Sequence, residues 1–395
     1  MLIIGVSVIV LTREKHPALR ALIMVKNEEK ALPRLLNSMT GSLFSGVFIC
    51  DTGSTDQTLE LAILWSNTTG IPVWIHKIEA FTNFEVTRNE CKEAFPSGDD
   101  WVMLLDADFT VRPVETFNVP KSDVNVIQMY AVEPGHPHNS LNLLVRTKVF
   151  KEHCRYRLWT HEYLHCQNEN NNMFKPAQNL SFGFYNDISI NDHADGKSRP
   201  EKISRDIALL KQWLDERGKE EKDIRPRALY YLARAYEDLG DLEKAKSYYK
   251  RHQNVQNMTN YNYYGFYRLA LISDETEYEE AMHTAAGAYD GIFRKEPLYY
   301  LALYYRRKND FTRCIIYATA AMNTPPIDHS RSPLFLETNI YDWVLEEELA
   351  YCLMRKYHYS QSLFHFNRIQ RNYYHQLDSA SQKRIDNYIN SINKR

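Results

Sequence analysis

The sequence has no excess of positive or negative charge. It also has no apolar run long enough to cross a membrane. Its 395 residues carry 48 Lys and Arg against 50 Asp and Glu, a formal net charge of −2. This balance gives no global positive field, so we expect no nucleic-acid partner. The longest apolar run, residues 2–11, has about half the length of a membrane helix, so we expect no integral membrane segment.

Closely spaced cysteine pairs are also missing. The six cysteines are scattered without a Cys-x-x-Cys motif, which favours buried, reduced thiols over a disulfide framework or a zinc site. Residues 2–11 have no basic leader and no clear small-residue cleavage site, and their Ile and Val content favours a strand over a signal peptide. We therefore expect a cytoplasmic protein. The cysteines are Cys50, Cys91, Cys154, Cys166, Cys314 and Cys352.

The length predicts two domains, and the character of the sequence changes near residue 200. Before that point, short β-branched or apolar runs alternate with amphipathic helical patterns. This alternation is typical of a Rossmann-like α/β domain, in which helices cover a mostly parallel sheet. The predicted strands are 21–26, 47–50, 71–78 and 101–105, and the first predicted helix is 32–39.

After residue 225, helical repeats replace the strand patterns. Residues 228–249 have the helix–turn–helix layout of a tetratricopeptide unit, with a Leu-Gly-Asp turn. Leu-Ala pairs that begin at residues 232, 269, 301 and 349 are 37, 32 and 48 residues apart. These steps bracket the tetratricopeptide period of about 34 residues, except across an insertion. The pattern predicts an all-α solenoid that either presents a binding surface or only packs and dimerises.

Polar clusters follow three of the predicted strands, at 27–29, 51–56 and 106–108. In open parallel sheets, ligands bind at the carboxyl ends of the strands. Asp106 and Asp108 follow an apolar strand, and alternate residues of an extended chain share a face. Two hard oxygen ligands there suit Mg²⁺ or Mn²⁺ holding a diphosphate, although a lone Asp-x-Asp is also common in solvated turns.

Four segments, in this order and spacing, resemble glycosyltransferase family 2. They are Met-Val-Lys-Asn-Glu-Glu at 24–29, Cys-Asp-Thr-Gly-Ser-Thr-Asp at 50–56, Arg-Asn at 88–89 and Leu-Asp-Ala-Asp at 105–108. The resemblance covers roughly residues 19–210 and includes Trp-Thr-His-Glu at 159–162 and Asp-His-Ala-Asp-Gly at 192–196. It implies a GT-A glycosyltransferase domain at 1–215, followed by a tetratricopeptide-like domain at 216–395. Similar tails occur in bacterial peptide S-glycosyltransferases, and other relatives glucosylate lipopolysaccharide cores.

The resemblance implies a donor site for a nucleotide sugar, in particular a UDP-sugar. Asp51 would bind the uridine, with Asn27 and Glu28 beside the base. Arg88 would place a cation near the donor phosphates or the sugar. Two other roles stay open, because Asp51 would also suit a cap for the next helix and Arg88 a surface position.

The resemblance also implies a metal site and a catalytic base. Asp108 would be the main ligand of Mn²⁺ or Mg²⁺, Asp106 would bind the ribose or, through water, the metal, and His193 would complete the metal site or touch the diphosphate. Family 2 enzymes invert the anomeric centre by direct displacement, which needs a carboxylate to take the acceptor proton.

Glu162 is the best candidate for that base, and His161, which precedes it, is the second candidate catalytic residue. The alternative role of Glu162 is an ion pair with Arg155 or Arg157. Leu-Trp-Thr precedes His161 where more common relatives have Gly-x-x-His-Glu, which leaves the acceptor type open. The Gln-x-x-Arg-Trp element of processive synthases is absent from the sequence, which favours transfer of a single sugar.

The sequence thus predicts an inverting, metal-dependent glycosyltransferase that moves one sugar from a UDP-sugar to a peptide, protein or glycan acceptor. The helical repeats would serve the acceptor, a protein partner or a homodimer. The alternative from another class is a tetratricopeptide interaction scaffold that carries an inactive GT-A domain. A nucleotidyltransferase is disfavoured because residues 26–30 contain no glycine for a nucleotide loop.

Overall fold

The computed structural model divides the chain into two compact units. The first unit comprises residues 1–134, 141–157 and 162–198, and the second comprises residues 135–140, 158–161 and 199–395. The apolar run at 2–11 lies outside the described residues. The residues that the structure describes are 19–40, 44–98, 100–113, 126–132, 139–166, 182–184, 188–193, 201–253, 260–288, 294–326 and 336–394.

Strands and helices alternate through most of the described residues before 194. The strands are β1 (Leu19–Val25), β2 (Phe44–Asp51), β3 (Val73–Lys77), β4 (Trp101–Asp106), β5 (Phe109–Pro113), β6 (Val126–Val132), β7 (Asn139–Arg146), β8 (Cys154–Arg157), β9 (Tyr163–Cys166), β10 (Phe182–Phe184) and β11 (Ile188–Asp192). The helices are α1 (Leu32–Ser38), α2 (Thr58–Thr69), α3 (Phe84–Ala94) and α4 (Thr147–His153). The four strands predicted from the sequence correspond to β1–β4, with ends shifted by a few residues.

The main sheet has the order β3-β2-β1-β4-β7-β6-β11-β5, and β10 also pairs with β6. Strands β1–β4 pair in parallel, as do β10 and β11 with β6. Strand β7 is antiparallel to β4, and β5 is antiparallel to β11. Strands β8 and β9 form a separate antiparallel pair. The predicted mostly parallel sheet is confirmed.

Register places the carboxyl ends of three central strands at one edge of the sheet. Val25 is paired with Asp51, and Met24 is paired with Asp106. The polar segments that follow β1, β2 and β4 therefore start side by side. This is the edge at which open parallel sheets bind their ligands.

Strand β1 is apolar on both faces because each face packs against a separate core. Ala21 and Ile23 belong to one buried cluster, whereas Leu22 belongs to a second cluster with Phe48 and Leu104. Successive residues of a strand point to opposite faces, so a strand covered on both sides needs a continuous apolar run. This burial holds the strand ends, and the loops that follow them, in place.

The cysteine prediction is wrong, because the structure pairs all six cysteines in disulfides. Cys50 lies on the face of β2 that α3 covers, which brings it to Cys91. Tertiary packing, and not sequence spacing, creates this proximity. The other pairs are Cys154–Cys166, opposite each other in the β8–β9 hairpin, and Cys314–Cys352, between two helices of the second unit.

The second unit is helical in its described residues after 200, and each helix packs against the next along the chain. This confirms the predicted all-α, solenoid-like architecture. Within the described residues, no helix is both long and apolar enough to cross a membrane. The helices are α5 (Glu201–Glu216), α6 (Arg225–Asp238), α7 (Leu242–Gln253), α8 (Asn260–Ile272), α9 (Glu275–Gly287), α10 (Glu296–Arg307), α11 (Phe311–Met322), α12 (Leu345–Arg355), α13 (Tyr359–Tyr373) and α14 (Ser379–Asn393).

Three of the helix pairs close with the same left-handed turn. Gly240, Asn309 and Tyr357 have φ angles of 78°, 60° and 64° between α6 and α7, α10 and α11, and α12 and α13. In each turn, this residue and the next donate their backbone N–H groups to carbonyls in the last turn of the preceding helix. The bonds satisfy carbonyl groups that a helix end would otherwise leave unpaired.

Candidate active site

The loops that follow β1 and β2 are locked together by hydrogen bonds. The Asn27 N–H donates to Ser54 Oγ at 3.0 Å, and the Thr55 N–H donates to Asn27 Oδ1 at 2.7 Å. Asn27 has a φ of 56°, a left-handed conformation that asparagine tolerates better than most residues. The Glu28 N–H donates to Thr58 Oγ1 at 2.7 Å. Asn27 and Glu28 therefore fix the shape of this edge of the sheet.

Two aspartates of the second loop have structural partners. Asp51 is buried, and its Oδ1 accepts the Ser54 N–H at 2.9 Å. Asp56 accepts the Thr58 N–H at 3.0 Å through Oδ1 and the Glu29 N–H at 3.2 Å through Oδ2. Burial opposes ionisation of Asp56, but the hydrogen bond from the Thr58 hydroxyl, together with the two from backbone N–H groups, holds the pKa of Asp56 below its usual value. Asp56 thus stays charged and ties the two loops together.

Arg88, Asp106 and Glu162 form a cluster that we call the arginine cluster. Arg88 Nε donates to Glu162 Oε1 at 2.5 Å, and Arg88 Nη2 donates to Asp106 Oδ1 at 2.9 Å. The Asp106 side chain is 50% exposed, whereas that of Glu162 is only 11% exposed. The cluster therefore has one open side, at the end of β4, and one closed side. Three predicted site residues that are far apart in the sequence meet here.

The surroundings of Arg88 keep it charged. Burial alone would lower the pKa of Arg88, but the carboxylates of Glu162 and Asp106 outweigh it and raise this pKa above its ordinary value. The guanidinium carbon lies 5.6 Å from the ring centroid of Tyr156. Burial raises the pKa of Tyr156, so its phenol stays protonated. The result is a permanent cation beside the open carboxylate of Asp106.

Helix α3 presents Arg88 from its first two turns. Asn83 caps the helix by accepting the Val86 N–H at 2.9 Å. The rings of Phe81 and Phe84 meet edge to face, with centroids 5.0 Å apart, as expected for aromatic residues wrapped around this turn. The charged end of Arg88 is therefore held by a capped helix start.

Asn89 is a positioning residue that sequence reasoning missed, although it stands in the Arg-Asn segment. Its Nδ2 donates to the carbonyl of Tyr156 and its Oδ1 accepts the Tyr156 N–H, both at 2.9 Å. Nδ2 also donates to the Glu85 carbonyl at 2.8 Å. Asn89 thereby fixes β8 to α3, and β8 is the hairpin partner of the strand that follows Glu162. In the sequence, the position of Asn89 directly after Arg88 is the feature that could have pointed to this role.

His161 packs with the second unit, to which residues 158–161 belong. Its ring stacks on Tyr231 with centroids 4.0 Å apart, and its carbonyl accepts a hydrogen bond from Arg227 Nε at 2.8 Å. His161 Nε2 lies 3.7 Å from Asp206 Oδ2. Burial, and then the charge of Arg227, lower the pKa of His161, so its imidazole is neutral near pH 7.

Asp108 and His193 are neighbours at the ends of β5 and β11. The His193 N–H donates to the Asp108 carbonyl at 3.2 Å, and Arg34 Nη2 donates to the same oxygen at 3.3 Å. His193 Nε2 lies 3.0 Å from Thr110 Oγ1. The antiparallel pairing of β5 and β11 therefore brings together two of the predicted metal ligands, 85 residues apart in the sequence.

The donor types at this edge fit a divalent cation, because carboxylates suit Mg²⁺ and an imidazole is acceptable to Mn²⁺. In this structure, however, Asp106 binds Arg88. Among the described residues, Asp106, Asp108 and His193 do not form a set whose ligand atoms all lie within 4.8 Å of one another. Asp108 and His193 contact each other here through the backbone N–H of His193, and Asp106 lies two residues before Asp108 in the sequence.

No family model matches the chain, and no curated protein sequence matches it significantly. Among solved structures, S. aureus TarS matches with a TM-score of 0.33 and 11% identity, over 75% of this chain and 54% of TarS. The chain thus spans about half the length of that protein. YrrB, described as a TPR protein with an unusual peptide-binding site, matches with a TM-score of 0.32 and 14% identity, over 42% of this chain and 76% of YrrB.

A third match is glucosyl-3-phosphoglycerate synthase from Mycobacterium tuberculosis, solved in complex with phosphoglyceric acid. Its TM-score is 0.24 and its identity 16%, over 30% of this chain and 45% of that protein. TM-scores of this size establish neither an activity nor a substrate for this chain.

Proposed function

We propose that the first unit is a glycosyltransferase that moves one sugar from a nucleotide sugar, a UDP-sugar in particular, to an acceptor. The observation that carries this proposal is the arginine cluster at the carboxyl end of β4. A fixed cation beside two carboxylates, at the ligand-binding edge of a parallel sheet, suits a substrate that carries a diphosphate and is attacked by a hydroxyl or thiol.

In this proposal the two interlocked loops form the nucleotide end of the site. Asp51 Oδ1 is held by the Ser54 N–H, and in this proposal the carboxylate accepts the N–H of the uracil ring. Asn27 and Glu28 shape the loop beside the base through the hydrogen bonds that link the two loops. Their contribution is to hold the site ready before the donor binds.

The chemical step follows from the roles of Glu162 and Arg88. Glu162 takes the proton from the acceptor nucleophile, which forms a bond to the anomeric carbon as the bond from that carbon to the diphosphate oxygen breaks. The electron pair leaves with the diphosphate, where Arg88 stabilises the added negative charge. Attack opposite the leaving group inverts the anomeric centre. The ion pair with Arg88 holds the Glu162 carboxylate in place before the donor arrives.

We propose Mn²⁺ or Mg²⁺ as the cofactor, held by Asp108 and His193 with Asp106 as a further ligand or ribose contact. A bound divalent ion would supply positive charge to the donor diphosphate. The acceptor is a peptide, protein or glycan, and the helical repeats serve the acceptor, a protein partner or a homodimer. The sequence predicts a cytoplasmic location, but the three disulfides of the structure are typical of an oxidising compartment and argue against it.

A panel of UDP- and GDP-hexoses, screened by thermal shift and by donor hydrolysis with and without Mn²⁺, tests this function. We expect a UDP-sugar to stabilise the full chain and Mn²⁺ to increase the shift. Asp108→Ala should remove the effect of Mn²⁺, whereas Glu60→Ala, an exposed carboxylate on α2, should not. If no nucleotide sugar shifts the melting temperature or is hydrolysed, the glycosyltransferase proposal is wrong and the interaction scaffold remains.

A further inference from the structure

The second unit contains a cavity of about 370 Å³. It is lined by residues of α10, α12 and α14 and by the π-helical segment Ile340–Val344 that precedes α12. Small-molecule sites have volumes of about 300–1,000 Å³, and π-helical turns occur frequently at functional sites. All of its lining residues belong to the second unit, so the cavity is independent of the arginine cluster.

Four aromatic side chains line the cavity: Tyr299, Trp343, Tyr351 and Tyr388. Each is partly exposed. The rings of Tyr351 and Tyr388 lie with centroids 5.4 Å apart. Flat aromatic faces offer broad apolar contact, and their polar edges can form hydrogen bonds. Such walls suit a ligand that has both an apolar face and polar groups.

Two ion pairs make the lining polar without giving it a net charge. Arg306 Nη1 donates to Glu348 Oε2 at 2.5 Å. Arg384 pairs with Glu347 through two hydrogen bonds of 2.6 and 3.0 Å. Two positive and two negative groups cancel, so a charged ligand would meet a group of its own sign. The lining therefore favours a neutral ligand that both donates and accepts hydrogen bonds.

Three lining side chains retain unused hydrogen-bonding groups. Within the described residues, the hydroxyls of Tyr299 and Tyr388 and the indole N–H of Trp343 have no hydrogen-bond partner. A purely apolar ligand would leave these groups unpaired, at a cost in free energy. A ligand with several hydroxyl groups would pair with them.

We propose that this cavity, which we call the aromatic cavity, binds a neutral sugar ring. A hexose has an apolar face of C–H groups, which would stack on Trp343 or a tyrosine ring, and a rim of hydroxyls. The hydroxyls would donate to Glu347 and Glu348 and accept from Arg306 and Arg384. The site would hold a saccharide on residues of the second unit alone, and its existence does not depend on the proposed transfer reaction.

Saturation-transfer NMR and titration calorimetry on the full chain, without any donor nucleotide, test this proposal. The probes are D-glucose, D-galactose and N-acetyl-D-glucosamine, with glucuronate and glucosamine as charged analogues. We expect saturable binding of at least one neutral sugar and weaker binding of its charged analogues. Trp343→Ala should weaken binding about tenfold or more, as expected for loss of an aromatic stacking contact.

Phe364→Ala is the matched control, since Phe364 is an aromatic residue of the same unit that is 62% exposed and does not line the cavity. Tyr388→Phe, which removes only a hydroxyl, supplies a second test if Trp343→Ala does not fold. The proposal is overturned if no neutral sugar binds, if charged analogues bind more tightly, or if binding survives both lining variants unchanged. Binding of aromatic peptides in place of sugars would also overturn it.

Discussion

The two units differ in where the polar side chains of the arginine cluster and of His252 lie. In the first unit, the arginine cluster places its charges at strand ends, and half of the Asp106 side chain is open to solvent. In the second unit, polar groups lie in the helical core: His252 is fully buried, and neither of its ring nitrogens has a hydrogen-bond partner among the described residues. Solvent-exposed charged side chains can contact a ligand, whereas buried polar groups without hydrogen-bond partners lower the stability of the fold. Substitutions in the two units should therefore produce different kinds of defect.

The largest expected effect is on catalysis, in the first unit. Removing a general base typically costs about 10²–10⁴-fold in rate. Glu162→Gln should therefore lose sugar transfer to this extent, while the affinity for the UDP-sugar changes little. Initial rates and donor affinity, measured on the same preparation, check this expectation. Transfer at a near wild-type rate would show that Glu162 is structural and that the base lies elsewhere.

The arginine cluster should also contribute to the stability of the fold. In that case, substitutions in the first unit would affect stability as well as catalysis. Arg88→Ala leaves Glu162 unpaired and nearly buried, and removing one partner of such a pair costs about 3 kcal/mol. Urea denaturation should give this loss in the free energy of unfolding. Arg112→Ala, an exposed arginine on β5 of the same unit, is the control and should have little effect. Equal effects of the two variants would refute the structural role of Arg88.

The second unit should lose stability in acid because of His252. Burial lowers the pKa of His252 to about 4, whereas an unfolded histidine titrates near its ordinary value of 6.5. The unfolded state therefore takes up a proton first, so stability is complete above pH 6.5 and falls as the pH drops from 6.5 to 4. The loss should reach about 2 kcal/mol at pH 5. His252→Leu should flatten this pH dependence, and the exposed His375→Leu should leave it unchanged.

The smallest expected effect is a loss of stability from overpacking at Gly265, which lies close to His252 in the same helical core. A Cβ added to Gly265 would lie 2.1 Å from His252 Nδ1, a distance that packed atoms cannot adopt. Gly265→Ala should therefore destabilise the chain by about 1–2 kcal/mol through overpacking. Gly287→Ala, where nothing lies within 4 Å of the added carbon, is the matched control. Combining Gly265→Ala with His252→Ala should remove the clash. Thermal unfolding of Gly265→Ala, Gly287→Ala, His252→Ala and the double variant measures this effect.

The sequence predicted the helical unit well because its contacts are local. Each repeat packs against its neighbour, so the pattern of Leu, Ala and aromatic residues within 228–249 suffices to identify it. Strands β1–β4 were also predicted, since each is a short apolar run that ends in polar residues. Strands β5–β11 were not predicted.

The site could be predicted only as a set of candidates. Arg88 and Glu162 are 74 residues apart, and their contact depends on how the β8–β9 hairpin packs against α3. Sequence reasoning therefore named both residues but gave Glu162 the wrong possible partners, Arg155 and Arg157. The cysteine pairs were missed for the same reason, because Cys50 and Cys91 meet only after β2 and α3 have packed.

The three left-handed turns of the second unit have the same backbone geometry although a different residue occupies each of them. Gly240 adopts this conformation without steric cost, whereas Asn309 and Tyr357 adopt it with a Cβ atom in place. The backbone hydrogen bonds of the turn are the same in all three copies. The three copies thus share the geometry of the turn but not the residue that adopts it. For protein engineering, Asn309→Gly and Tyr357→Gly are accordingly changes that suit the left-handed backbone of these turns without altering its shape.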